Sequence, residues 1–205
     1  MCEMIRADVP GLYIFHRAEE VGGLGSRHIA SETPDLLAGI KCAIALDRKG
    51  FTNIITHQFS RCCSDAFALS LADQLNQGFA GDGWAADDTG VFTDTANYTD
   101  LVDECTNLSV GYFQAHTSNE CLNYMFLGDL LDTLVHLDQS RLVIERSPGA
   151  TDTHQVGYWG GHFDAWDNAP DLLRLCREHP DAASSMLEEF GVNANDFQNY
   201  IYTGR

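Results

Sequence analysis

Leu12-Tyr13-Ile14-Phe15-His16-Arg17-Ala18-Glu19-Glu20-Val21-Gly22-Gly23-Leu24-Gly25-Ser26 is the stretch on which the reading of this chain turns. The apolar run Leu12 to Phe15 predicts a buried strand, and the glycines after it predict a turn. In an open α/β sheet, ligands gather just past such strand ends. Two adjacent carboxylates there repel each other unless a cation or a shared proton offsets the charge. That points to a metal site in which one glutamate binds the ion and the other handles a proton. The alternative is a solvated acidic turn.

Working outward, a helix is expected over Arg27 to Leu37, and then a second apolar run, Ile40 to Leu46, ends in Asp47. A third run, Leu108 to Phe113, is followed by Gln114-Ala115-His116-Thr117. Glu, Asp and His, each after a core strand, make a nitrogen and oxygen ligand set suited to zinc or a similar divalent ion.

With these residues in view, the stretches IFHRAEEVGGLGS, IALDRKG, CCSDAFA and GVFTDTANYTDLVDECTNLSVGYFQAHTSNE resemble the catalytic half of the M28-type zinc aminopeptidases and related metallo-exopeptidases. The resemblance spans Pro10 to Leu137. It rests on order and spacing: Glu-Glu-x-Gly-x-x-Gly-Ser, an Asp 27 residues past the second Glu, then a strand ending near His-Thr. It implies a three-layer α/β/α fold with a mostly parallel or mixed central sheet. It makes Glu19 the general base toward a zinc-activated water, Glu20 and His116 ligands of one zinc, and Asp47 a ligand of the other. The implied reaction is cleavage of N-terminal peptide bonds in a peptide or amino-acid derivative.

The chain also departs from that family. Two ligands expected upstream of the Glu-Glu pair, a His in a His-x-Asp motif and a bridging Asp, have no counterpart ahead of Glu19. The domain is therefore expected to be N-terminally truncated, with Met1 to Arg6 as the end of the preceding helix. Without the bridging carboxylate a close pair of zinc ions lacks the negative charge that holds it together, so one ion, two ions or none are open expectations. A bare sheet edge is also expected, which invites pairing with a complementing chain or a second copy. The rival expectation is a non-catalytic protein that keeps the exopeptidase fold as a binding or assembly module. A third is a single-metal hydrolase. Within Gly161 to Asn168, His162 and Asp164 form a His-x-Asp that could substitute for the missing ligands, set against an aromatic turn leading into a helix at Pro170.

Other residues invite weaker readings. His57 is expected to be a hydrogen-bonded surface histidine, and His16 to have a packing or supporting role. Cys62-Cys63 is not part of any Cys-x-x-Cys, so a zinc ribbon is not indicated. Thr93-Asp94-Thr95-Ala96-Asn97-Tyr98 would shape the substrate cleft by resemblance, although a capped turn needs the same residues. Gly22, Gly23 and Gly25 lack the order of a dinucleotide fingerprint.

Composition sets the outer limits. The 205 residues carry 30 acidic and 12 basic side chains, a net charge of -18, which disfavours nucleic acid as a partner and attracts cations and protonated amines. No apolar stretch approaches the roughly 18 residues needed to cross a bilayer, and no basic region with an apolar core opens the chain, so a cytoplasmic protein without a membrane partner is expected. Seven irregularly spaced cysteines fit reduced, mostly buried thiols.

The expected element order is a strand at 11–16, helix at 26–37, strands at 40–46 and 51–56, and helix at 64–76. A short strand at 90–93, a strand at 108–113 and a long helix from Ser118, its N-cap, to Asp138 follow. Leu122, Phe126, Leu130, Leu134 and Leu137 form the core-facing stripe of that last helix. Residues 1–147 are read as the α/β domain and 148–205 as a polar linker with a small helical tail, its helices at 170–178, 181–190 and 195–202.

Overall fold

The computed structural model describes residues 1–58, 60–78, 83–115, 117–148 and 179–189. The chain divides into two compact units, Met1–Tyr112 with Leu122–Gln155, and Phe113–Cys121 with Val156–Arg205.

In the first unit, the strands β1 (Cys42–Arg48), β2 (Asn53–Ile55), β5 (Ala85–Asp87) and β6 (Glu104–Ser109) form one sheet in the order β1-β6-β2-β5. β1 runs parallel to β6 and β2 parallel to β5, whereas β2 and β6 are antiparallel, so the sheet is mixed and the fold is α/β. β3 (His57–Gln58) and β4 (Ser60–Arg61) pair as a separate hairpin, and β7 (Tyr112–Phe113) pairs with β8 (Cys121–Leu122).

Period-two alternation along β1 distributes its side chains between two cores. Cys42, Ile44 and Leu46 pack on a cluster built from Ile54, Phe67, Leu71, Leu75, Trp84, Leu108, Leu130 and Leu134. Ala43 instead joins Leu37, Cys62, Tyr98, Val102 and Cys105, together with Ile14 and Ile29. The first cluster is supplied mainly by α3 (Asp65–Gly78) and α4 (Tyr124–Val135). α3 begins where Ser64 Oγ accepts the Phe67 N–H at 3.0 Å, a side-chain cap that satisfies one orphan donor of the first turn.

Glu104 is a fully buried carboxylate in the middle of this unit. It accepts the Ser64 N–H at 2.7 Å, the Ser64 hydroxyl at 2.8 Å, and the N–H groups of Glu145 and Arg146 at 2.9 and 2.8 Å. The Arg146 guanidinium donates to the carbonyls of Thr99, Val102 and Asp103. Ionic hydrogen bonds of this kind are what allow a carboxylate to stay inside. Here they tie β6, the start of α3 and the segment after α4 together.

Several expected elements differ. Residues 12–15 do not form a strand: Leu12 is 44 % and Phe15 62 % exposed, and Ile14 alone of that run packs into a core cluster. An apolar run becomes a strand only with a ladder partner, and the four-stranded sheet ends at β1 without taking this segment in. The expected helix over 27–37 is α2 (Leu24–Glu32) followed by a 3₁₀ turn, Pro34–Leu37, because a proline ring breaks the α-helical pattern behind it. The short strand at 90–93 is irregular, and β5 lies earlier, at Ala85–Asp87. A Cβ on Gly90 would lie 2.2 Å from the His57 carbonyl oxygen, so the chain passes close to β3 there.

The long helix starts at Tyr124 rather than after Ser118: Asn123 is the N-cap, its side chain accepting the Phe126 N–H at 3.1 Å. Leu130 and Leu134 of the stripe are buried as expected, while Leu122 falls in β8 and is exposed. In the second unit, α5 (Pro180–Glu189) matches the expected helix at 181–190, with proline at its first position. The helices expected at 170–178 and 195–202 lie outside the described residues. Among the described residues no helix is long and apolar enough to cross a membrane.

Candidate active site

The Glu19–Glu20 pair opens a 3₁₀ turn, Glu19–Val21, flanked by left-handed backbone at Ala18 (φ 58°), Gly22 (φ 88°) and Gly23 (φ 64°). For alanine that conformation costs about 1–2 kcal/mol, and such strain survives only where the surroundings dictate it. Here they do. Gly25 N–H donates to the Arg17 carbonyl at 3.0 Å, Leu24 N–H to the Ala18 carbonyl at 3.2 Å, and the N–H groups of Gly22 and Gly23 both reach the Glu19 carbonyl at 2.9 Å. Space explains two of the glycines. A Cβ on Gly23 would lie 2.7 Å from Phe92 and from Ser26 Oγ, and one on Gly25 would lie 2.8 Å from the Arg17 backbone nitrogen.

Asp47 lies inside β1, one residue before its end, where the pairing with β6 slips between Ala45 and Arg48. A bulge of this kind re-aims a side chain. The Asp47 N–H donates to Asn107 Oδ1 at 3.0 Å, and its carbonyl accepts the Tyr112 hydroxyl at 2.9 Å. Its carboxylate accepts the Thr93 hydroxyl at 3.3 Å.

Glu19 is half-buried, whereas Glu20 and Asp47 are exposed. The Glu19 carboxyl is pushed up to about 7, first by burial and then by the negative charges of Asp47, Glu20 and Asp94. Each of the two expected carboxylate ligands is therefore within electrostatic reach of the expected base. A carboxyl that keeps its proton to higher pH than usual suits a group that accepts and returns protons.

Asp94, the fourth acid, is buried and held on both oxygens. Oδ1 accepts the Ser26 hydroxyl at 2.5 Å, and Oδ2 lies 3.0 Å from His16 Nδ1. His16 Nε2 is 2.5 Å from the Tyr98 hydroxyl. Burial, then Asp94 and Cys105, push the Tyr98 phenol up to about 12, so it keeps its proton while its hydroxyl and Nε2 share a hydrogen bond. His16 donates from Nδ1 to Asp94. This gives His16 the supporting role expected of it.

His116 lies outside the described residues, as do His162 and Asp164. Among the described residues no three His, Cys, Asp or Glu side chains group so as to hold a metal ion. His57 is half-buried and bonded to the Thr56 hydroxyl at 2.9 Å, the hydrogen-bonded state expected of it. Cys62, Cys63 and Cys105 are buried free thiols, and burial helps push Cys63 and Cys105 up.

The sequence reading missed the weight of Asp94 and Glu104. Asp94 sits in a polar run that also reads as an ordinary capped turn, and Glu104 opens β6, Glu104–Ser109, all of it buried, whereas the strand is expected at 108–113. The Thr-Asp-x-x-Asn spacing was the available signal for the first. Set beside known proteins, the chain matches no family model, no curated protein and no solved structure.

Proposed function

We propose that this chain is a metal-dependent, aminopeptidase-like hydrolase, with Glu19 as general base and Glu20 and Asp47 as metal ligands. The observation that carries this reading is the raised basicity of Glu19 amid Asp47, Glu20 and Asp94. A half-buried carboxylate within reach of three other negative charges is costly unless a proton or a cation joins it. Glu20 and Asp47, both exposed, offer hard oxygen donors suited to zinc, and His116 is the proposed third ligand. When bound, zinc supplies Lewis-acid polarisation of a carbonyl and a lower pKa for water. Glu19 takes up a proton and delivers it to the departing amine, and the surrounding negative charge draws in the protonated amine of a peptide N-terminus. In this reading residues 1–147 form a three-layer α/β/α exopeptidase domain. A complementing chain or a second copy completes the sheet edge, and the protein works in the cytoplasm.

The test is zinc titration of the purified chain with cleavage of an N-terminal aminoacyl amide as readout. Turnover that requires zinc and is lost in Glu19→Gln, with zinc still bound, supports the hydrolase. A second reading is an exopeptidase fold kept as a binding or assembly module. It predicts no stoichiometric zinc and no turnover.

A further inference from the structure

The turn carrying Glu19 and Glu20 is gripped on both flanks by one short segment. Before the turn, His16 bonds Asp94 and Tyr98; after it, Ser26 bonds Asp94 and accepts the Asn97 side-chain amide at 2.9 Å. Asp94 and Tyr98 are the two ends of a 3₁₀ turn, Asp94–Tyr98, packed directly against α2. The preceding residue, Thr93, bonds the Asp47 carboxylate on the neighbouring strand. The dipeptide Thr93-Asp94 therefore touches the support of every candidate site carboxylate in the first unit.

Both oxygens of Asp94 already accept hydrogen bonds from protein groups, and the residue is buried. That arrangement suits a carboxylate that fixes other groups in place. The left-handed Ala18 also requires something outside the turn to hold it, since its own backbone preference opposes that conformation.

We infer that Asp94 is a positioning residue: by bonding His16 ahead of the Glu19–Glu20 turn and Ser26 behind it, while Thr93 bonds Asp47, it fixes the separation between the base and the metal-binding carboxylates. The inference rests on the hydrolase reading only in naming Glu19 the base and Glu20 and Asp47 the ligands. The clamp itself is a property of the metal-free chain.

The experiment is amide hydrogen exchange on the metal-free, full-length protein, comparing wild type with Asp94→Ala, Asp94→Asn and Ser26→Ala. In Asp94→Ala the amides of residues 17–25 are expected to exchange at least about tenfold faster, with α4 unchanged. Asp94→Asn keeps an acceptor for Ser26 and is expected to restore most of the protection. Ser26→Ala, which keeps the His16 bond, serves if Asp94→Ala fails to fold, and is expected to loosen 22–25 more than 17–19. In the zinc-loaded protein, Asp94→Ala is expected to lower kcat about 10²-fold with KM within threefold, the signature of a displaced base. Unchanged exchange at 17–25 in the folded variants overturns the inference whatever the wild type's activity. Faster exchange in a protein that cleaves no peptide keeps the inference and rejects the hydrolase reading.

Discussion

Glu104 and Glu19 are the same residue type in opposite surroundings. Glu104 is fully buried among donors, with four hydrogen bonds from Ser64, Glu145 and Arg146. Glu19 is half-buried among acids and is pushed up to about 7. A carboxylate supplied with N–H groups holds segments of a fold together; one desolvated among like charges keeps its proton to higher pH. The difference sets a carboxylate that joins three segments apart from the one proposed as the base.

The two glutamates should respond oppositely to substitution. The largest effect is on turnover. Glu19→Gln keeps the shape and removes the base, so zinc-dependent cleavage should fall about 10²–10⁴-fold in steady-state assays while calorimetry still registers bound zinc. Glu104→Ala acts on stability instead. It leaves four donors facing a buried void, and chemical denaturation should show a loss of about 3–5 kcal/mol. If Glu104→Ala is as stable as wild type, the contrast fails on its structural side.

Asp47→Asn should leave the fold intact, since its N–H and carbonyl bonds to Asn107 and Tyr112 involve the backbone. Zinc affinity should nevertheless fall at least about tenfold by titration, since losing even a group that only supports a ligand costs that much. The smallest effect is on the pH dependence of stability in metal-free protein. The native state keeps the Glu19 proton up to about pH 7, whereas the unfolded chain releases it near the ordinary 4.5. The native state thus binds more protons across that window. The contribution of Glu19 is full below pH 4.5 and is lost as pH rises through 7. Because the side chain is half exposed, the effect is modest: Glu19→Gln should melt about 1–3 °C above wild type at pH 8 and level with it at pH 4, by thermal denaturation.

The sequence carries some of this plainly and hides the rest. The run before Asp47 and the leucine stripe of α4 have clear periods, and both become the expected elements because their apolar side chains have cores to enter. The run Leu12 to Phe15 has the same composition as a buried strand, yet hydrogen-bonding partners, not composition, decide whether a strand forms. Glu19, Glu20 and Asp47 stand out as acids beside apolar runs. Glu104 and Asp94 do not, because a buried acid is recognisable only once the donors around it are known, and those donors come from residues 40 or more positions away for Ser64 and Glu104 and 68 away for Ser26 and Asp94.

The most direct measurement is calorimetric zinc titration of wild type and Glu19→Gln at pH 7, each in two buffers of different ionisation enthalpy. A dication arriving beside Glu20 and Asp47 should expel the proton that Glu19 holds, so wild type should bind zinc with buffer-dependent heat and Glu19→Gln should bind it with a smaller dependence. Absence of zinc binding by the wild type, or identical buffer dependence in both proteins, contradicts the account.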